Sequence, residues 1–194
     1  MILRNKILSG QFVNLRPIMQ SDSALTLSWR ISHRARWLNS GAQTEDAQAK
    51  WISSRPDTEF NFIIELCDNN IPVGMLSLID IDFFHRRAEP ARFLIGNEKA
   101  VEGIPVAAEA EKLLFELAFN ELNLLRLYGT VVNINTKMIK WNEFLGWKNE
   151  GCLRKHLFIG DKFYDAICMG LLVDEYKKIT VPRFRLLLQI PKHT

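Results

Sequence analysis

Residues 106–122 carry the strongest periodic signal in the chain. Val106, Ala107, Ala110, Leu113, Leu114, Leu117 and Ala118 recur at helical spacing on one face, while Glu109, Lys112, Glu116 and Asn120 fall largely on the other. A helix with one apolar face must lie on an apolar surface, and the segments before it supply a sheet. Two β-rich stretches, 60–66 and 73–79, are joined by Asp68-Asn69-Asn70, a turn-forming cluster that predicts an antiparallel hairpin. Residues 91–95 add a strand beside them.

The rest of the chain continues the pattern. Residues 12–15 alternate and end at Pro17, then Ser21 and Asp22 cap a helix reaching about Arg30. Thr44-Glu45-Asp46-Ala47 opens a second helix that stops before Pro56, because the residue ahead of a proline disfavours helical angles. After the long helix come a strand at 127–132, a helix at 136–145 closed by Gly146, and two strands at 152–159 and 163–172 joined across Gly160-Asp161. The expected fold is α/β, with a mixed, mostly antiparallel central sheet of about seven strands flanked by helices.

With 194 residues, 47% of them hydrophobic, the chain can bury one sizeable core. A single domain over 1–176 is expected. The tail 177–194, with its apolar run at 184–190, is left open between an added strand, a homodimer contact and a loose end. A net charge of +3 from 25 basic and 22 acidic residues gives no reason to expect nucleic acid or a membrane as partner. No apolar run is long enough to cross a bilayer, and charges interrupt the start MILRNKILSGQF, so a cytoplasmic protein is expected. Cys67, Cys152 and Cys168 are odd in number, far apart and in or beside apolar strands, which predicts buried small hydrophobes and no disulfide framework. His33, His156 and His193 are isolated, and no metal-ligand spacing occurs.

Two stretches read ARFLIGNEKAVEGIPVAAEAEKLLFELAF and LLRLYGTVVNINTKMIKWNEFLGWKNEGCLR. Their order is a strand, a loop feeding a helix N-terminus, a strand ending in Asn, a short helix, a Gly-aromatic pair and an EG-x-x-R step. This resembles the GNAT superfamily of acetyltransferases over roughly residues 12–176. The segments LSWRISHRARWLNSG, IPVGMLSLIDID and FLIGNE are similar to the branch that acetylates nucleotide-linked amino sugars. Similar segments occur in the ribosomal-protein N-terminal branch.

The resemblance implies acetyl-CoA as co-substrate and no metal. Helix-start amides lack partners and carry partial positive charge, so the loop at Gly103, Ile104, Pro105, Val106, Ala107 and Ala108 is expected to hold the pyrophosphate. Family positions there are changed to Glu102 and Pro105, which requires Glu102 to point outward. The resemblance places Leu94, Ile95 and Gly96 along the thioester, where backbone amides can polarise the carbonyl. Asn135 either caps the following helix or bonds the pantetheine arm. Met138 and Trp141 occupy positions where relatives often carry Ser and Tyr, so no general acid is expected there.

An amine attacks only when neutral, and Glu89, in the step Ala88-Glu89-Pro90-Ala91, is the best candidate base, with His85 and Asp82 as alternatives. Trp29, Arg30, Arg34, Arg36 and Trp37 form one basic aromatic cluster, and Arg86, Arg87 and Arg92 another. Arginine forks suit phosphates and aromatic faces suit sugars or bases, so the acceptor expected is the amine of a nucleotide-linked amino sugar, held in part by Trp29, Arg30, Arg36, Trp37 and Asp82. Two rival readings are a protein N-terminal acetyltransferase and a non-catalytic acyl-CoA-binding module.

Overall fold

The computed structural model describes residues 3–189. Eight strands form one sheet in the spatial order β1-β2-β3-β4-β5-β6-β8-β7. They are β1 (Leu8–Ser9), β2 (Val13–Pro17), β3 (Phe60–Leu66), β4 (Pro72–Asp82), β5 (Arg87–Ile95), β6 (Arg126–Val132), β7 (Lys148–Ile159) and β8 (Lys162–Leu172). Every neighbouring pair is antiparallel except β5 and β6. The eighth strand is β1, whose two residues are too few to show alternation. β5 begins at Arg87 rather than 91, because Pro90 inside the run lowers its strand signal.

The two faces of the sheet carry different helices, as strand alternation requires. Ile63 and Met75 point to one face, where α1 (Ser23–Arg30) and α2 (Glu45–Ser53) add Trp29 and Ile52 to a small core. Phe62, Ile64 and Leu76 point to the other face, into the main core with α3 (Val106–Glu116). There Leu113, Leu114 and Phe115 are almost fully buried, each burial being worth roughly 1.5–3 kcal/mol. α3 continues as a wider π-type turn over Leu117–Glu121, and α4 (Thr136–Leu145) ends at Gly146 in a left-handed cap with φ 100°.

The open tail takes a definite form, and two expectations, on Cys152 and Glu109, are corrected. The tail is helical as far as the described residues go: α5 (Val173–Glu175), a π-type stretch Tyr176–Thr180 and α6 (Val181–Leu187). It packs into the main core, with Tyr176 stacked on Phe119 at 4.5 Å and Phe184 against Phe115 at 5.9 Å. Ile190 and His193 lie outside the described residues. Cys152 is exposed, because β7 is an edge strand open to solvent along most of its length, while Cys67 and Cys168 are half-buried. Glu109, expected on the polar face of α3, is 3% exposed. Its carboxylate accepts from the amides of Gln11, Phe12 and Val13 at 2.7, 2.6 and 2.8 Å, pinning α3 to the start of β2. Gly10 lies beside it because a Cβ there would stand 2.5 Å from the Glu109 carboxyl carbon.

Candidate active site

The sheet is split at its centre. β5 and β6 pair only at Arg87 with Arg126 and Ala88 with Leu127; beyond that β5 follows β4, β6 follows β8, and the two diverge. β5 is bent by a bulge between its Leu94 and Ala91 pairings, where Arg92 takes φ 55°, and β4 bulges near Asp80 at φ 49°. A cleft of about 940 Å³ opens through the fork and runs from the α1–α2 side to the α3–α4 side.

A strand paired on one edge only leaves half its amides facing the gap. The Gly96 amide donates to the Val73 carbonyl at 2.9 Å. Antiparallel alternation therefore turns the Leu94 amide to β4 and the Ile95 amide into the fork. Of the three residues expected to polarise a thioester, Ile95 has its N–H free of β4.

Glu89 lies inside β5 at the apex of the fork. Its Oε1 is 3.4 Å from where a Cβ on Gly129 of β6 would sit, so the glycine leaves the space the carboxyl fills. Burial, with the negative Asp80 nearby, pushes its pKa up to about 7, although Arg92 opposes this. A carboxyl half ionised near neutral pH suits proton removal from an amine. The alternatives are elsewhere: Asp82 ends β4 and His85 stands in the turn that follows, joined by a 2.8 Å bond from the His85 amide to Asp82 Oδ1, and neither lines the cleft. Asp82 also pairs with Arg87 at 3.6 Å.

Arginine dominates the α1–α2 side. Arg30, Arg34, Arg36 and Arg92 line the cleft with Trp37 and Trp51. Arg34 is matched by Glu98 at 2.8 Å and Arg92 by Glu59 at 2.7 Å, with Arg92 also lying 5.1 Å over the Trp51 ring. Arg30 donates to the Asn39 carbonyl, and burial together with Arg92 lowers its pKa. Arg36 bonds the His33 carbonyl at 3.1 Å and lies 5.1 Å over Trp37. Among the described residues neither Arg30 nor Arg36 has a carboxylate partner. Trp29 does not join them: it is 6% exposed and packs under Gly96, where a Cβ would meet its ring at 2.3 Å.

On the α3–α4 side, Glu102 is exposed, Gly103 takes φ 75° with open space around it, and Pro105 precedes the first helical residue, Val106. The Val106 amide turns back to Ile104 at 2.8 Å and the Glu109 amide closes on Pro105. Ala107 and Ala108 lie in the first turn, where amides lack intrahelical acceptors, and Ala107 lines the cleft. This set fits a pyrophosphate, and the fork below it fits an extended arm. Asn135 caps α4 through a 3.4 Å bond from the Met138 amide, and both residues line the cleft. Trp141 donates from Nε1 to Glu111 at 2.5 Å.

Glu111 was not singled out by the sequence, although its spacing, four after Ala107 and three before Leu114, places a carboxyl on the apolar face. It is 8% exposed, lines the cleft, and burial pushes it up to about 7. Asp80 and Gly129 were also missed. A glycine inside a strand signals close approach, and here the approaching group is Glu89. Among the described residues no group of His, Cys, Asp or Glu is placed to hold a metal ion, and no helix is long and apolar enough to cross a membrane.

Comparison with known proteins gives the family. The chain is 34% identical over 174 residues to spermidine N(1)-acetyltransferase of Escherichia coli K12, covering 87% of this chain and 90% of that one. It is 31% identical over 129 residues to the SPbeta prophage-derived uncharacterized N-acetyltransferase YokL of Bacillus subtilis, covering 66% and 71%. A GCN5-related N-acetyltransferase from Brucella melitensis has the same fold, with a TM-score of 0.78 at 22% identity over 94% of this chain and 86% of that chain. The model of the acetyltransferase (GNAT) domain matches residues 13–148, and the chain belongs to that family of acetyltransferases.

Proposed function

We propose that this acetyltransferase moves an acetyl group from acetyl-CoA to the primary amine of a small molecule bearing anionic groups, a nucleotide-linked amino sugar being the acceptor class that fits best. The observation that carries this reading is that Glu89 at the fork shares its cleft with Arg30 and Arg36, which among the described residues have no carboxylate partner. Arginines facing a cleft without carboxylate partners among the described residues suit phosphate oxygens, and Trp37 and Trp51, each with an arginine over its ring, add apolar surface on the same side. The acceptor enters from the α1–α2 side and the thioester from the α3–α4 side. Glu89 takes the proton that the amine loses as the C–N bond forms, and the Ile95 amide bonds the carbonyl oxygen as charge develops. No covalent enzyme intermediate is needed.

A second reading, polyamine acetylation, is favoured by the relatives named spermidine N(1)-acetyltransferases. Asp80 and Glu89 would attract an ammonium. Against it, Arg30 and Arg36, which have no carboxylate partner among the described residues, would repel a cationic polyamine on the acceptor side. Thiol release from acetyl-CoA, measured over spermidine, an N-terminal peptide, a free amino sugar and the same sugar on a nucleoside diphosphate, separates these. The diphosphate sugar should give the highest kcat/KM, and Arg30→Ala with Arg36→Ala should raise its KM at least tenfold. Spermidine as the best acceptor, insensitive to both substitutions, would replace the first reading with the second.

A further inference from the structure

Glu111 is a deeply buried carboxyl that the steps above do not use. α3 presents Ala107 and, one turn on, Glu111 to the cleft, with Met138 and Asn142 of α4 lining it opposite and Trp147 beside them. The Trp141 indole N–H binds Oε2 at 2.5 Å across the gap between α3 and α4. A proton on this carboxyl is therefore carried by Oε1. On this side of the cleft Glu111 is the only carboxyl among the described lining residues; Asp80 and Glu89 belong to β4 and β5.

Acyl transfer from a thioester needs two proton movements on opposite sides. The amine loses a proton on the acceptor side, and the sulfur gains one where its arm enters. We propose that Glu111 is a further catalytic residue, the acid that protonates the departing thiolate, with Trp141 as the positioning residue that holds it. As the C–N bond forms, the amine proton passes to the Glu89 carboxylate. As the C–S bond breaks, the sulfur takes the electron pair and the Oε1 proton, leaving Glu111 ionised. Proton exchange with solvent as products leave returns both carboxyls to their starting states.

Burial without any counter-charge holds Glu111 protonated up to about pH 7, and only the Trp141 bond opposes this. Charged groups on the elements around it are turned elsewhere or lie farther along the cleft. Glu109 faces the β2 amides, Lys112 pairs with Glu116, Lys137 of α4 is exposed, Arg92 pairs with Glu59, and Glu89 sits at the fork.

The inference rests on thioester acetyl transfer and not on which amine is acetylated, so the fastest acceptor of the panel serves as substrate. Glu111→Gln keeps an acceptor for Trp141 but has no acidic proton. Turnover should fall roughly 10²-fold, and the loss of kcat above about pH 7 should vanish, while calorimetric affinity for acetyl-CoA stays within about twofold. In the free enzyme, tryptophan emission should titrate near pH 7, and that step should be absent in Glu111→Gln. Trp141→Phe removes the bond that favours the carboxylate and should move the alkaline limb upward, a shift that is readable even if Glu111→Gln folds poorly. Persistence of turnover and of the alkaline limb in Glu111→Gln overturns the proposal, as does a loss explained by failed acetyl-CoA binding. An unsubstituted enzyme silent on every amine would overturn the transfer reading along with it.

Discussion

Glu109 and Glu111 stand two residues apart on one helix and both are buried, yet their surroundings could hardly differ more. Glu109 is turned to the start of β2, where three backbone amides bond its two oxygens. Glu111 is turned to the cleft, where one indole N–H bonds one oxygen and burial raises its pKa to about 7. Burial alone does not assign a role to a carboxyl. A side chain whose lone pairs are all engaged by the backbone is part of the scaffold, whereas one left half-satisfied beside a cavity has its proton available for chemistry.

The contrast breaks most readily at Glu109. Glu109→Ala removes the acceptor of two buried amides, Phe12 and Val13, and of a part-buried one at Gln11, and at about 1–3 kcal/mol for each buried amide this should lower unfolding stability by roughly 2–6 kcal/mol in urea titration. Whatever remains folded should keep an unaltered pH–rate profile. Stability within 1 kcal/mol of the parent would show that the amides find other partners.

For Glu111 the expected signature is in pH. Its folded pKa of about 7 lies above the ordinary 4.5, so the folded state binds the proton more tightly and gains most stability below pH 4.5. As pH rises from there through about 7 the stability falls, by about 3 kcal/mol for a shift of this size. Glu111→Gln should remove its share of that slope in denaturation series run between pH 4.5 and 8, leaving the share of Glu89, which burial raises to about the same value. A slope undiminished by the substitution would assign it to other groups.

Glu89 sharpens the comparison from the acceptor side. Glu89→Gln should keep the fold and acetyl-CoA affinity but slow the chemical step by roughly 10²-fold, with the defect shrinking at high pH as solvent deprotonates the amine. A loss equal at every pH would point to positioning. The smallest effect belongs to Cys152: exposed on an edge strand, it should tolerate Cys152→Ala within about 0.5 kcal/mol and with full turnover. Inactivation of a folded Cys152→Ala protein would place a reactive thiol in the mechanism.

Much of the architecture is legible one element at a time. Thr44 reads as the opening of a helix and Asn135 as a helix cap or a pantetheine contact, and each accepts an amide from its own helix. Gly146 reads as a stop and adopts the left-handed angle. Glu89 reads as a carboxyl beside a strand, and the loop at 103–108, proposed for the pyrophosphate, reads as a helix start. These features are local, because propensity, capping and alternation act within a few residues.

What the sequence determined by itself is the order of elements and the residue types set along them. Only the tertiary structure decided that β5 and β6 part after one short contact, that Gly129 makes room for Glu89, that Trp29 belongs to the core while Arg30 faces the cleft, and that the tail is a helix on Phe115. It also decided which face of α3 each glutamate serves. The physical reason is that a side chain's role depends on what lies opposite it. Residues 111 and 141, or 89 and 129, meet through packing of distant elements, which no local preference encodes.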